Sequence, residues 1–286
     1  MSAAAEVIGA VQAPPKTQEK AAAGPGRLRR ALGNGGWIGF MLPLLVLAWW
    51  QTAVSLKWVD KVFLPEPVAV VRAFWTMLTG QNLLLDFVVS LNIVGQAFLY
   101  GSLLGVGLGI AAGLSQKVER FFGPTFDTIR HIPGIAWFPL IVLWLGLGAP
   151  AKILVIAKSV FFPVFLNTLQ GIRSVDKNYV ELAEVLTLSR GQLVRKVILP
   201  AATPSIMVAL RYAAGLAWAL VVVAEGLSGL EGLGFLIFRA QSLLMTDQLL
   251  VCMAVIGLIG FAIDRGMYAL QRRVLRWKQG FEGAAK

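Results

Sequence analysis

The stretch from Pro204 to Gly226, PSIMVALRYAAGLAWALVVVAEG, decides the fold class. It carries only two charged side chains, Arg211 and Glu225, and a bilayer-spanning helix needs roughly 20 mainly apolar residues. Five further segments meet the same criterion, at about 37–56, 88–114, 129–147, 151–170 and 249–269. The third is interrupted by Arg130, His131, Pro133 and Pro139, and Pro43 and Pro163 lie inside other spans. Proline is tolerated there when neighbouring helices satisfy the freed carbonyls. The remaining composition agrees. Of 286 residues 57% are hydrophobic and 14% charged, with mean hydropathy +0.72, whereas a soluble domain carries about 25% charged residues. A soluble enzyme, a nucleic-acid-binding domain and a disordered scaffold are poor fits. The expectation is an all-α polytopic membrane protein with six transmembrane helices and both termini cytoplasmic.

Charge placement orients the bundle. The net charge is +11, with 26 Lys and Arg against 15 Asp and Glu. Eighteen of the 26 fall in segments 1–36, 115–123, 171–203 and 265–286, and four in 57–87, 148–150 and 227–248. This is the positive-inside pattern. The basic charge is therefore topological, and no nucleic-acid partner is expected. Residues 1–36 read as a disordered basic cytoplasmic tail without the apolar core of a signal peptide. Residues 37–270 read as the transmembrane domain and 271–286 as a basic cytoplasmic tail. Trp37 and Trp277 fall near the inner boundary and Trp58 near the outer one, as interfacial tryptophans do. Cys252 stands alone, which excludes an intramolecular disulfide. His131 has no Cys or carboxylate neighbours at ligand spacing, so no metal is expected.

The 171–203 segment is too organised for a connector. Asp176 suits the N-cap of a short helix ending near Leu186. Ser189-Arg190-Gly191-Gln192 is a capping-box pattern that starts a second, running to about Ile198 and ending at Pro200. Thr203-Pro204 then supplies an N-cap and first-turn proline for the fifth span. Loops of this length are functional or disordered, and the caps argue against disorder.

Here the chain resembles the EAA-motif permeases of ABC importers, with Glu181, Ala183, Leu199 and Pro200 at the family spacing. Leu182 and Val197 are mild substitutions within it. Thr187 stands where the family has glycine, and threonine tolerates positive φ badly, so Leu188 and Ser189 are expected to take up the turn. The likeness extends over about residues 37–278. Pro204-Ser205-Ile206, Leu210-Arg211, Gly215-Leu216, Trp218, Ala224-Glu225, Gly232-Leu233-Gly234 and Thr246-Asp247 look like the branch importing nitrate, sulfonates and taurine. Leu64-Pro65, Ile132-Pro133, Asn167-Thr168 and Leu275-Arg276-Trp277 extend it. Phe162-Pro163-Val164 and Ser205-Ile206-Met207-Val208 are most similar to aliphatic sulfonate permeases.

The resemblance implies a type I importer-like bundle in the bacterial cytoplasmic (inner) membrane, moving a small oxyanion by alternating access. Aliphatic sulfonate heads the candidates, with nitrate or taurine next. Glu181, Ala183, Glu184, Thr187, Leu199 and Pro200 would make the coupling surface for a cytoplasmic ABC ATPase, present in two copies. Glu181 and Glu184 would face the ATPase while Val180, Ala183 and Val185 pack inward. The partners implied are a second copy of this chain, the lipid bilayer, and a periplasmic or extracellular substrate-binding protein. That protein would meet the surface around Gly232-Leu233-Gly234 and Arg239, or that surface would close the outer mouth. No phosphate-binding loop of the Gly-x4-Gly-Lys-Ser/Thr type occurs in the sequence. The chain is thus not expected to be an enzyme or to bind a cofactor, with ATP and Mg on the partner.

Charged groups inside spans are candidates for handling the anion, since burying one costs about 2.5–3.5 kcal/mol and it normally faces protein or water. Arg211 lies about 10 Å into the fifth helix at 1.5 Å per residue, and Lys158 a similar distance into the fourth from outside. Arg211 is equally suited to pairing with a carboxylate or snorkelling to headgroups. Asn92 and Gln96, four apart, suit cross-helix hydrogen bonds or a polar path. Asn167, Trp218 and Glu225 complete the pathway candidates, Glu225 as an outer gate or salt-bridge partner. Asp264 and Arg265 read as a structural pair. Gly101, Gly105, Gly109 and Gly113 share one helix face, which favours close helix packing. The competing reading is an ion-coupled carrier or channel for a small anion, which leaves the capped 171–203 loop without a role. An intramembrane enzyme has no supporting motif.

Overall fold

A computed structural model describes residues 38–80 and 83–277. The tail at 1–36 and the end of the tail at 278–286 lie outside the described residues, as does Trp37. The ordered elements among the described residues are all helices, without a strand. The helices are α1 (Ile38–Ser55), α2 (Pro67–Gly80), α3 (Leu83–Leu114), α4 (Gln116–Arg130), α5 (Phe138–Leu145), α6 (Ala149–Arg173), α7 (Lys177–Val185), α8 (Arg190–Leu193), α9 (Leu199–Ser228), α10 (Leu233–Ser242) and α11 (Thr246–Val274).

Four described helices are long and apolar enough to cross a bilayer: α3, α6, the Arg190–Ser228 rod and α11. α1, the expected first span, has 18 residues and encloses Pro43. The expected third span, 129–147, is not a straight helix. α4 and the Gly134–Leu145 segment meet at 89°. Pro133 lacks an N–H and disfavours helical backbone at Ile132, so the helix stops at Arg130 and restarts through a short 3₁₀ turn, Gly134–Trp137. Two helices in the outer segments, α2 and α10, were not anticipated there.

α3 and α6 form the centre. Cβ atoms built on Gly101 and Gly105 would lie 2.5 and 2.9 Å from the carbonyl oxygens of Ala157 and Phe161, and one on Gly109 2.6 Å from Thr168 Cβ. The glycine face is therefore a close-packing seam, as read from its period. α9 packs against the same α6, where Gly171 meets Ser205. Ala97, Val155, Ile156, Val160, Ala213 and Val221 fill the common core. Outward-facing Leu103, Leu104, Leu143 and Leu258 remain exposed, which suits a lipid surface rather than water.

The break expected between the second coupling helix and the fifth span is absent. Helix runs without interruption from Arg190 to Ser228, 39 residues, through a π-turn at Val194–Ile198. Leu199 N–H reaches back five residues to Val194 O. Such wide turns insert an extra residue into a helix, and here one precedes Pro200, which has no N–H to donate. Thr203 is not an N-cap. Its hydroxyl donates to Leu199 O at 2.7 Å inside the helix.

Candidate functional site

The segment expected to carry the coupling surface is built on α7. Asp176 caps it, its Oδ1 accepting from Asn178 N–H at 3.0 Å. Ala183 is buried and Val180 half-buried, while Glu181 and Glu184 are exposed. Val185 does not pack inward as expected but is 78% exposed. With Tyr179, Leu182 and Leu186 it leaves an uncovered apolar band beside the two carboxylates. The helix closes with Thr187 N–H on Glu184 O and Leu188 N–H on Ala183 O. That is a Schellman pattern, whose C′ residue is left-handed and commonly glycine. Thr187 occupies it itself at φ 53°, so the turn has not moved to Leu188 and Ser189. Ser189 and Gln192 then form the expected reciprocal capping box at 3.0 and 3.4 Å. Because left-handed backbone costs a non-glycine residue about 1–2 kcal/mol, Thr187→Gly should stabilise the α7–α8 turn by roughly 1 kcal/mol. Slower hydrogen exchange of the α7 amides would register it, and faster exchange would contradict it.

The α4–α5 break opens a cavity of about 610 Å³ between the break, α6 and α9. Lys158 is its central cation. Its Nζ donates to Ile132 O at 3.0 Å and sits 5.0 Å from the Trp137 ring and 5.6 Å from the Phe162 ring. Arg130 and His131 line the same space, Arg130 Nε lying 3.3 Å from Asp127 Oδ1. Their place in the cavity follows from the break, which a straight-span reading concealed. Leu216 walls this cavity and also a second one of about 540 Å³ that contains Arg211. Arg211 binds Asp264 in bidentate fashion, at 2.7 and 2.8 Å, and lies 5.1 Å from the Tyr268 ring. The expected Asp264–Arg265 pair is thus replaced by Arg211–Asp264. Their neighbours in sequence diverge because adjacent helical positions do not share a face, and Arg265 turns to the Phe261 ring.

The other pathway candidates lie apart from this cavity. Gln96 donates to Asn92 on α3, with Asn92 exposed. Asn167 donates to Pro163 O on its own helix at 2.8 Å. Trp218 is buried, and its indole donates to Ile256 O at 3.0 Å, joining α9 to α11. Glu225 is fully buried at the outer end. Its Oε2 accepts from Ser90 Oγ at 2.8 Å and from Gly234 N–H at 2.9 Å. Ser90 Oγ accepts in turn from Leu233 N–H, and Asp86 Oδ1 from Gly232 N–H. Gly232 has φ 103°, and a Cβ there would lie 2.2 Å from the Glu225 carboxyl carbon. Gly232-Leu233-Gly234 is consequently folded inward onto α3 and α9. On the outer loop, Trp50 Nε1 donates to Pro65 O at 2.9 Å. Nearby, the Lys61 ammonium beside Glu66 holds that carboxyl below the usual carboxylate range.

A multi-span helical bundle with a charged cavity and a short exposed helix outside the spans is an architecture that membrane transport components share. The chain belongs to the family of binding-protein-dependent transport system inner membrane components, whose model matches residues 104–276. It is 36% identical over 271 residues to SsuC of Bacillus subtilis (strain 168), named for aliphatic sulfonates transport, covering 94% of this chain and 96% of that one. It is 36% identical to the taurine transport system permease protein TauC of Escherichia coli (strain K12), over 82% of this chain and 87% of the other. A nitrate import permease, NrtB of Synechocystis, is 30% identical over 76% and 82%. The fold is also that of a permease in a solved amino acid ABC transporter, at TM-score 0.60 and 19% identity, covering 70% of this chain and 98% of the other. A methionine ABC transporter solved in inward-facing conformations matches at TM-score 0.52 and 20% identity, over 72% and 97%.

Proposed function

We propose that this chain is the membrane subunit of an ATP-driven importer that passes a small oxyanion, in first place an aliphatic sulfonate, to the cytoplasm by alternating access. The cavity around Lys158 carries the reading. It offers a half-buried ammonium in an apolar, aromatic-walled space of a size that holds a small organic anion. Sulfonate, taurine and nitrate relatives transport anionic or zwitterionic oxyacids, and one cation with weak apolar contacts serves all of these chemistries.

The path has two stages. The anion first lies beside Lys158, whose present acceptor, Ile132 O, is a single carbonyl that an incoming oxyanion can replace. It then passes Leu216, the side chain shared by both cavities, toward Arg211. Asp264 occupies the Nε–Nη2 edge of the Arg211 guanidinium, so that edge is not offered to the anion in this state. Specificity at the level of the solute is left to a binding protein on the outer face. ATP and Mg belong to two copies of a cytoplasmic ATPase docked on the Tyr179, Leu182 and Val185 band, and a second copy of this permease completes the pathway. The membrane is the bacterial inner membrane.

The test is uptake of labelled sulfonate, taurine and nitrate into vesicles carrying the chain with its ATPase and binding protein. ATP-dependent uptake of one oxyanion is expected. Lys158→Gln removes the charge while keeping a hydrogen-bond donor on a side chain one atom shorter, and should lower that uptake at least roughly tenfold, the scale of a charge-assisted bond of 1.5–3 kcal/mol. Uptake driven by an ion gradient without ATP would instead favour a secondary carrier.

A further inference from the structure

Lys152 is the largest fully buried side chain among the described residues. It stands in the first turn of α6, and its Nζ has no hydrogen-bond partner. Glu225, equally buried, has one oxygen with two donors and the other, Oε1, with none. Gly101 and Gly113 of α3 meet Val160 and Ile172 of α6, so these two helices run parallel, and because Gly171 meets Ser205 of α9 at one end while Ser90 of α3 bonds Glu225 at the other, α9 runs antiparallel to both. Stepping back 19 residues along α6 and forward 19 to 23 along α9 brings Lys152 to the level of Val221 to Glu225. The Lys152 charge acts on Glu225 accordingly, as does that of Asp86. A basic and an acidic side chain are therefore buried at the same level, each with an unused hydrogen-bonding atom, and no hydrogen bond joins them in this state.

A buried, unpartnered ammonium is costly, and removing one member of a buried pair is far more damaging than removing both. Such a group persists where another state of the molecule satisfies it. The surrounding fixtures are suited to motion at this point. Glu225 sits on α9, Ser90 and Asp86 on α3, Lys152 on α6, and the Gly229–Gly234 turn hangs on the first three by backbone donors. Drawing the outer ends together would bring Nζ toward Oε1. Parting them releases the turn and α10 from α3.

We infer that Lys152 and Glu225 are the two halves of a latch at the outer gate, pairing directly when the outer ends of α3, α6 and α9 close and separating when they open. The gating role rests on the importer reading above. The pairing itself does not, and is measured without transport.

The single native cysteine reports on it. Cys252 is fully buried in the second turn of α11, within electrostatic reach of Asp86 and Arg239. Labelling by a membrane-impermeant maleimide, added from outside to the whole transporter, therefore reads opening of the outer end. Lys152→Met and Glu225→Gln should each raise the labelling rate about tenfold, and the double variant should be no faster than the faster single, the signature of interacting residues. Multiplying effects, or unchanged rates in both singles, would overturn the latch. Should a single variant fail to accumulate while the double does, that too is the coupling. Should neither accumulate, Ser90→Ala decides: it removes one donor to Glu225 and one acceptor of the turn, and an unchanged rate in it overturns the proposal. Coupled labelling together with ATP-independent uptake would strike the importer reading and leave the latch standing.

Discussion

Gly105→Ile should leave no folded protein in the membrane. α3 and α6 touch through backbone at this position. A Cβ alone would lie 2.9 Å from Phe161 O and 2.9 Å from Val164 Cβ, closer than real Cβ atoms approach their neighbours. The neighbour on one side is a carbonyl oxygen of an intact helix, and it cannot rotate away as a side-chain tip can. The helices must separate by an ångström or more, and the seam at Gly101 and Gly109 is lost with them. Overpacking a core costs about 1–3 kcal/mol even where rotamers can adapt, and membrane helix association rests on close van der Waals packing of small residues. Gly95 and Gly107, on the same helix, have nothing within 4 Å of a built Cβ. Gly107→Ile should therefore accumulate and melt like the parent, which isolates packing from helix propensity. Comparable amounts of folded Gly105→Ile and Gly107→Ile after size-exclusion in detergent would contradict the seam.

Sequence showed the seam because its cause is local. Period four on a helix puts four glycines on one face whatever the partner. The same holds for the Asp176 cap and the Ser189–Gln192 box, which depend on residues at most three apart. The interruption of the third span was legible in Arg130, His131, Pro133 and Pro139, but hydropathy averaged over a window gives neither the 89° bend nor which of these residues sets it. Pro200 misled instead. A proline ends a helix by its missing N–H and its ring, yet the π-turn ahead of it accommodates both, and nothing in the residues Val194 to Ile198 announces that turn. Arg211 was legible as a charge needing a partner but not as Asp264's partner, because that contact spans 53 positions between two helices. Lys152 carries no signal of a role in its own sequence neighbourhood. Its significance lies in Glu225 on another helix, and only the antiparallel register of α6 and α9 brings the two to one level.

Replacing Lys196 and Val197 together by glycine should abolish uptake while ATP hydrolysis by the associated ATPase continues. The prediction follows from the continuity of the Arg190–Ser228 helix. Ser189 and Gln192 at its start lie beside α7, on which the proposed ATPase surface sits, and Arg211, Leu216 and Glu225 lie farther along the same rod. A displacement at the inner end is delivered to the cavity and to the outer end without an intervening joint. Two glycines introduce one at the π-turn, each costing about 1 kcal/mol of helix propensity and, together with Pro200, leaving a hinge. Lys196 is exposed and Val197 only half-buried, so the bundle itself should assemble. The α7 surface is untouched, so the ATPase should still co-purify. A coupling surface joined to its bundle by a hinge turns over nucleotide without moving the cavity walls. The measurement is the ratio of transported solute to ATP hydrolysed in vesicles, expected to fall by roughly a hundredfold or more if the movement transmitted is worth about 3 kcal/mol. An unchanged ratio would mean that the signal crosses by another route, through α4 and the Glu119–Arg173 ion pair that links it to the inner end of α6.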